Sequence, residues 1–145
     1  MSAAPYPIKT EDELVFSFVS EGPRGRIRKI VRFDLIGPGL YNLGFGDQLE
    51  NSLDFDDFAN TNNGDMKKVL ATVISTIFLF FEKYPNQALY VEGSDSIRTR
   101  LYIRIANNYF DGFKETIAIY GGIKNSVPEK LSKDKNYDYL IIKKK

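Results

Sequence analysis

Arg24, Arg26, Arg28, Lys29 and Arg32 stand close together with no anion among them, and the segment that carries them has the pattern of a β-hairpin and its second strand. Residues two apart on a strand point the same way and lie about 6.6 Å apart. Arg26, Arg28 and Arg32 therefore share a face, with Ile30 between them. That interval is close to the roughly 6 to 7 Å between neighbouring phosphates on an extended single strand. A nucleic-acid groove is one reading of this basic strand. The other is a solvated outer face whose charges guard the strand against edge pairing. Tyr41 and Phe45, on the next predicted strand, suit base stacking and suit burial equally well.

A second cluster runs from Gly93 to Tyr102, where a strand passes through glycine into a helix start that bears Ser94, Ser96, Arg98 and Arg100. Free N–H groups and the helix dipole favour an anion at such a terminus, and Arg98 could reach back to clamp it. Arg100 and Arg104 stand four apart on one side, a like-charged spacing better tolerated with an anion between them. That anion is either a ligand or a carboxylate of the protein, such as Asp54, Asp56 or Asp57. Asp95 would repel a phosphate here unless it serves as the helix cap. Ser94, Ser96, Arg98, Arg100, Tyr102 and Arg104 are accordingly the candidate anion-binding or partner-binding residues.

Six carboxylates, Asp47, Glu50, Asp54, Asp56, Asp57 and Asp65, have no cation between them. Oxygen ligands suit Mg²⁺ or Ca²⁺, but no EF-hand register fits, because Gly64 at the sixth position puts Ala59 where the first Asp belongs. A two-metal site needs carboxylates from several rigid elements rather than from one loop. The segment is read as a solvated acidic loop over 47–64, without a metal. Neither a P-loop nor a dinucleotide fingerprint is present, so no cofactor is expected. Lys143, Lys144 and Lys145 read as a soluble end.

The elements that must position these residues follow from hydrophobic periodicity. Leu14–Val19, Arg26–Ile36 and Leu40–Phe45 alternate as three strands, separated by Gly22, Pro23 and Gly25 and then by Gly37, Pro38 and Gly39. Val69, Leu70, Val73, Ile74, Ile77, Phe78 and Phe81 recur at spacings of three and four, which predicts a helix over 65–84, capped by the Asp65 carboxylate and stopped at Tyr84-Pro85. A short strand over 88–91 leads to a second helix over about 97–110, with Ile97, Leu101 and Ile105 on its buried side. Strands over 116–120 and 137–142 complete the order β-β-β-α-β-α-β-β. This is an α+β domain: a three-stranded antiparallel meander, then α-β-α-β-β, with helices on one face of a mixed sheet.

The 145 residues fit one domain, with residues 1–12 expected to be flexible, and 43% hydrophobic residues suffice for a core. Zero Cys and zero His remove thiolate nucleophiles, Ser-His triads and the commonest metal ligands and general base. A net charge of +1 leaves no global field toward nucleic acid or an anionic membrane, so such binding must be local. Pro5 and Pro7 interrupt a short uncharged N-terminal stretch, no export signal is visible, and the apolar run over 69–81 is too short to cross a bilayer. A cytoplasmic protein with no membrane association is expected.

The segments Tyr41-Asn42-Leu43-Gly44-Phe45-Gly46-Asp47, Asn62-Asn63-Gly64-Asp65, Lys68-Val69-Leu70-Ala71-Thr72-Val73 and Gly93-Ser94 with Arg98-Thr99-Arg100-Leu101-Tyr102 resemble an uncharacterised family of small Bacteroidota proteins. The resemblance covers about 16–139. It implies a bacterial cytosolic single-domain protein and assigns no functional residue.

Exclusion of the usual catalytic sets leaves a non-enzymatic interaction module as the leading expectation. It would bind a companion protein or nucleic acid through its local basic patches, and homo-oligomers are compatible with the sequence. By analogy with small bacterial proteins that work beside a companion, the expectation extends to a toxin-antitoxin or phage-defence component. The alternative is a metal-independent nuclease or phosphotransfer-type enzyme using Arg98, Arg100 and Tyr102, with a carboxylate such as Asp47 as base.

Overall fold

The computed structural model describes residues 4–49, 55–56, 64–93, 95–109 and 115–145. Among them the order is β1 (Lys9–Thr10), β2 (Val15–Gly22), β3 (Gly25–Gly37), β4 (Leu40–Gln48), β5 (Phe55–Asp56), α1 (Met66–Lys83), β6 (Ala88–Val91), α2 (Ser96–Tyr109), β7 (Ile117–Gly122), β8 (Glu129–Lys130) and β9 (Tyr139–Lys144). The fold is α+β with mixed strand pairing. The chain divides into two compact units, Met1–Asp34 with Gly44–Pro85, and Leu35–Leu43 with Asn86–Lys145. β3 and β4 run through both.

In the first unit β1 pairs antiparallel with β2, β2 with β3, and the end of β4 with β5. Strand alternation puts Phe16, Phe18 and Ser20 of β2 on one side, with Lys29, Val31 and Phe33 of β3 beside them. All six are buried, and α1 covers them, with Phe80 stacked on Phe33 at 4.7 Å. The helix buries Val69, Leu70, Val73, Ile77 and Phe81 as the periodicity predicts, together with Thr72, Thr76 and Phe80. Ile74 and Phe78 are only half-buried. The threonines are tolerated in the core because each hydroxyl is satisfied: Thr72 donates to the Lys68 carbonyl at 2.7 Å and Thr76 to that of Val73 at 2.6 Å. At the C-terminus the Tyr84 N–H still reaches the Phe80 carbonyl at 2.8 Å before Pro85 ends the helix.

The N-terminus of α1 corrects one expectation. Asp65 occupies the cap position, yet its carboxylate caps no helix N–H. Its Oδ2 instead accepts the Tyr6 hydroxyl at 2.5 Å and the Ser20 hydroxyl at 2.6 Å. Two O–H donors at these short distances hold the carboxylate away from the first turn. Tyr6 is itself buried, stacked on Phe18 at 5.8 Å, and its N–H donates to Thr72 Oγ1 at 2.8 Å. Within residues 1–12, expected to be flexible, the described part makes these contacts at Tyr6 and supplies β1.

In the second unit the start of β4 runs parallel to β6, and β6–β9, β9–β7 and β7–β8 are antiparallel. Leu89, Val91, Leu140 and Ile142 form the buried side of the strands, with Ile103 and Ala106 of α2. Here the expected phase of the second helix is wrong. Thr99, Ile103 and Ala106 are buried, while Ile97 is 74% exposed and Leu101 and Ile105 are half-buried. The reason lies at Gly93, where an added Cβ would stand 2.5 Å from the Thr99 N atom. Helix and strand end meet there without room for a side chain, and the Gly93 N–H donates to Thr99 Oγ1 at 3.0 Å. Thr99 is thereby turned inward, and positions four and seven further on follow it.

The predicted order also lacked β1, β5 and β8, each of two residues. In the expected acidic loop, Asp47 and Gln48 lie in β4 and pair with Asp56 and Phe55 of β5. Glu50, Asp54 and Asp57 lie outside the described residues.

Candidate functional site

The basic strand presents its charges on two sides. Arg26, Arg28 and Arg32 point away from the α1 side, across from Glu21, Val19 and Val15 of β2 respectively. Arg26 approaches Glu21 at 3.5 Å and Arg32 binds Asp34 at 2.8 Å. The Arg26 pair is largely exposed, where such pairs hold with at most about 1 kcal/mol. Arg28 is exposed and makes no ion pair among the described residues. Arg24 sits in the turn between β2 and β3, beside Gly25, whose φ of 91° only glycine adopts easily.

Lys29 belongs to the same run in sequence but not to the same surface. Its side chain is 1% exposed and its Nζ lies 2.7 Å from Asp47 Oδ1, on a carboxylate that is itself 16% exposed. One cation of the five is therefore internal, and the Asp47 carboxylate is engaged by it. Phe45 in the first unit and Tyr41 in the second are both half-buried.

In the second unit, the start of α2 is closed by the protein's own carboxylate. Asp95 Oδ1 accepts the Arg98 N–H at 2.8 Å, its carbonyl accepts the Thr99 N–H at 3.1 Å, and its Oδ2 lies 3.4 Å from Arg98 Nη1. This is N-capping by Asp, reinforced by the arginine expected to clamp a ligand. Ser94 lies outside the described residues. Ser96, Arg100 and Arg104 are exposed and Tyr102 is half-buried. Among the described residues neither Arg100 nor Arg104 has an ion-pair partner; Asp54 and Asp57, proposed as partners from sequence, and the side chain of Asp56 are not described.

Ser96 and Arg100 line a cleft of about 440 Å³ together with Glu92, Gly93, Lys124 and Asp138. Its charges largely satisfy one another: Lys124 Nζ lies 3.7 Å from Glu92, and the Lys124 N–H donates to Asp138 Oδ2 at 2.8 Å. Behind it the Tyr90 hydroxyl donates to Glu92 Oε1 at 2.6 Å, and its ring stacks on Tyr139 at 5.0 Å. Burial first, and then the Glu92 carboxylate, push the Tyr90 phenol above the usual tyrosine range. Gly121 and Gly122 seat the rings of Tyr137 and Tyr139, which a Cβ at either position would strike. Glu92, Lys124 and Asp138 come from three separate stretches, so no local spacing in the sequence marks them. The Gly121-Gly122 pair, two glycines inside a strand, is the signal by which the close ring packing could have been found.

Among the described residues no group of three or more carboxylates converges as a metal site would require. No helix there is long and apolar enough to cross a membrane. Residues 2–145 match the model of a family described as "Family of unknown function (DUF6934)", and the chain belongs to that family. No curated protein and no solved structure matches it.

Proposed function

We propose that this family member is a non-enzymatic binding module whose ligand is a polyanion, single-stranded nucleic acid above all, held on the arginine-bearing side of β3 near its turn with β2. The observation that carries the reading is the placement of Arg26, Arg28 and Arg32 on one side of β3, with Arg28 exposed and without an ion-pair partner among the described residues. On that side Arg26 and Arg28 stand about 6.6 Å apart, which suits neighbouring phosphates, and the fully buried Ile30 separates them from Arg32. Arg26 holds the Glu21 carboxylate only at the surface, so a phosphate could replace it at small cost. The enzyme alternative has less support. Asp47 is bound by Lys29 and Arg98 by Asp95, which leaves the suggested base and one of its cations already committed.

The test is fluorescence anisotropy of a labelled oligothymidylate against salt. Three phosphate contacts on a single strand predict a slope of log K against log salt near −2, and Arg28→Ala should flatten it by about 0.7. A slope that Arg28→Ala leaves unchanged, or no binding at low salt, overturns the reading. Native mass spectrometry of protein purified at low salt then separates the remaining possibility: a companion protein released by salt would mean that the arginine face meets an acidic protein surface.

A further inference from the structure

In the second unit β6 and β7 run in the same direction, because β9 lies between them and is antiparallel to both. They therefore leave the sheet at one end, through Glu92-Gly93 and Ile123-Lys124, and β9 enters at that end through Asn136, Tyr137 and Asp138. The cleft of about 440 Å³ at the start of α2 is lined by all three stretches. Its walls are fixed by short contacts. The Gly93 N–H donates to Thr99 Oγ1 at 3.0 Å, and the Ser126 N–H closes the turn after β7 on the Ile123 carbonyl at 3.0 Å. The Tyr137 ring packs on Gly121, with its hydroxyl donating to Glu129 Oε2 at 3.1 Å. A preformed cleft of this size suits a small molecule.

The backbone of the helix start is not what this cleft offers, since Asp95 already caps it. Lys124 and Glu92 are likewise turned to each other. Four polar side chains on the lining remain. Those of Ser96, Arg100 and Asn136 make no hydrogen bond or ion pair among the described residues, and Asp138 commits only Oδ2, to the Lys124 N–H. All four residues are exposed. Ile123, 41% exposed, adds an apolar side chain to the same lining. Among the described residues one guanidinium and one carboxylate of the cleft are thus left without an ion-pair partner, together with a hydroxyl, an amide and an apolar surface.

We propose that this cleft binds a small zwitterion, an α-amino acid with an apolar side chain. Its carboxylate meets the Arg100 guanidinium and the Ser96 hydroxyl, its ammonium meets Asp138 Oδ1 and the Asn136 amide oxygen, and its side chain covers Ile123. The planar donor pair of arginine fixes the orientation of a carboxylate as well as its charge. A simple anion is opposed by Glu92, Asp95 and Asp138 on the lining, and a simple cation by Arg100 and Lys124. A molecule carrying both charges meets a countercharge for each. Nucleic acid, which brings anionic charge alone, fits less well here than on the arginine-bearing side of β3.

The experiment is an amide NMR titration of the full chain with L-leucine, and with the two molecules that each lack one of its charges, isocaproate and isopentylamine. Leucine should give saturable shifts at Gly93, Ser96, Ile123 and Lys124. Isocaproate and isopentylamine should each bind about fivefold more weakly, the upper end of what one exposed charge contact contributes. Arg100→Gln should weaken leucine by a similar factor and leave isopentylamine unchanged, whereas Asp138→Asn should weaken leucine and leave isocaproate unchanged. Spectra away from the cleft report the fold of each variant; were they altered, the ranking of the three probes on the original chain decides in the same way. The proposal is overturned if leucine leaves these amides unmoved, if either single-charge molecule binds as tightly as leucine, if both variants bind leucine like the original chain, if a variant loses all three probes alike, or if oligothymidylate displaces leucine from the cleft.

Discussion

Removing the carboxylate from Asp47 should damage this protein more than removing the ammonium from Lys29, although the two form one ion pair. Asp47→Asn takes from an ammonium that is 1% exposed the carboxylate 2.7 Å away, whereas Lys29→Met takes a cation from a carboxylate that is 16% exposed and can draw on water. Breaking a buried pair from one side costs about 3–5 kcal/mol. Asp47→Asn belongs at the upper end of that range and Lys29→Met at the lower. With about 2–4 °C of melting temperature per kcal/mol for chains near this size, Asp47→Asn should melt roughly 10 °C or more below the original protein. Lys29→Met combined with Asp47→Leu should recover much of the loss, because neither charge of this pair then stays inside. Urea unfolding followed by far-ultraviolet circular dichroism gives the four corners of the double-mutant cycle. A cost below about 1 kcal/mol for Asp47→Asn would refute the reasoning that this carboxylate holds the internal ammonium.

Gly93→Ala should destabilise by about 2 kcal/mol or more, since its Cβ would meet the backbone of Thr99, which cannot turn aside as a side chain can; urea unfolding measures it. Tyr6→Phe should cost about 1 kcal/mol by removing one of the hydroxyls on Asp65, and Asp65→Ala more, because it removes the acceptor that the Tyr6 and Ser20 hydroxyls share; thermal melts rank the two. Burial and then Asp65 raise the Tyr6 phenol, as burial and Glu92 raise that of Tyr90. Both folded values exceed the unfolded one near 10, so this stabilisation is complete below about pH 10 and is lost as pH rises through the folded values. Stability should therefore fall on the alkaline side, and ultraviolet titration should show a late phenol that Tyr90→Phe removes.

Hydrophobic period made α1 legible, because seven apolar residues at spacings of three and four admit one phase. In α2 the apolar residues Ile97, Leu101, Ile103, Ile105 and Ala106 admit two, and the choice was made by Thr99 bonding the Gly93 N–H, a polar contact outside any hydrophobic count. Parity along β3 placed Arg26, Arg28 and Arg32 together from sequence. That Lys29 is internal depended on a carboxylate 18 positions away, and the role of Asp65 on hydroxyls 45 and 59 positions away. Such pairings are set by strand register, which no local pattern carries. Strands of two residues, as in β1, β5 and β8, are too short to alternate at all.

The anchoring of Tyr6 changes what trimming the chain near its start would mean. Its ring lies on Phe18, its N–H on Thr72 and its hydroxyl on Asp65, so it joins β2, the middle of α1 and the base of α1 through one side chain and one amide. A protease cutting after Pro7 would bare the Phe18 ring and leave Thr72 and Asp65 each short of a donor. The resulting protein would resemble a core mutant in its melting and aggregation, and a shortened version that loses activity would report lost packing before it reported a lost recognition element.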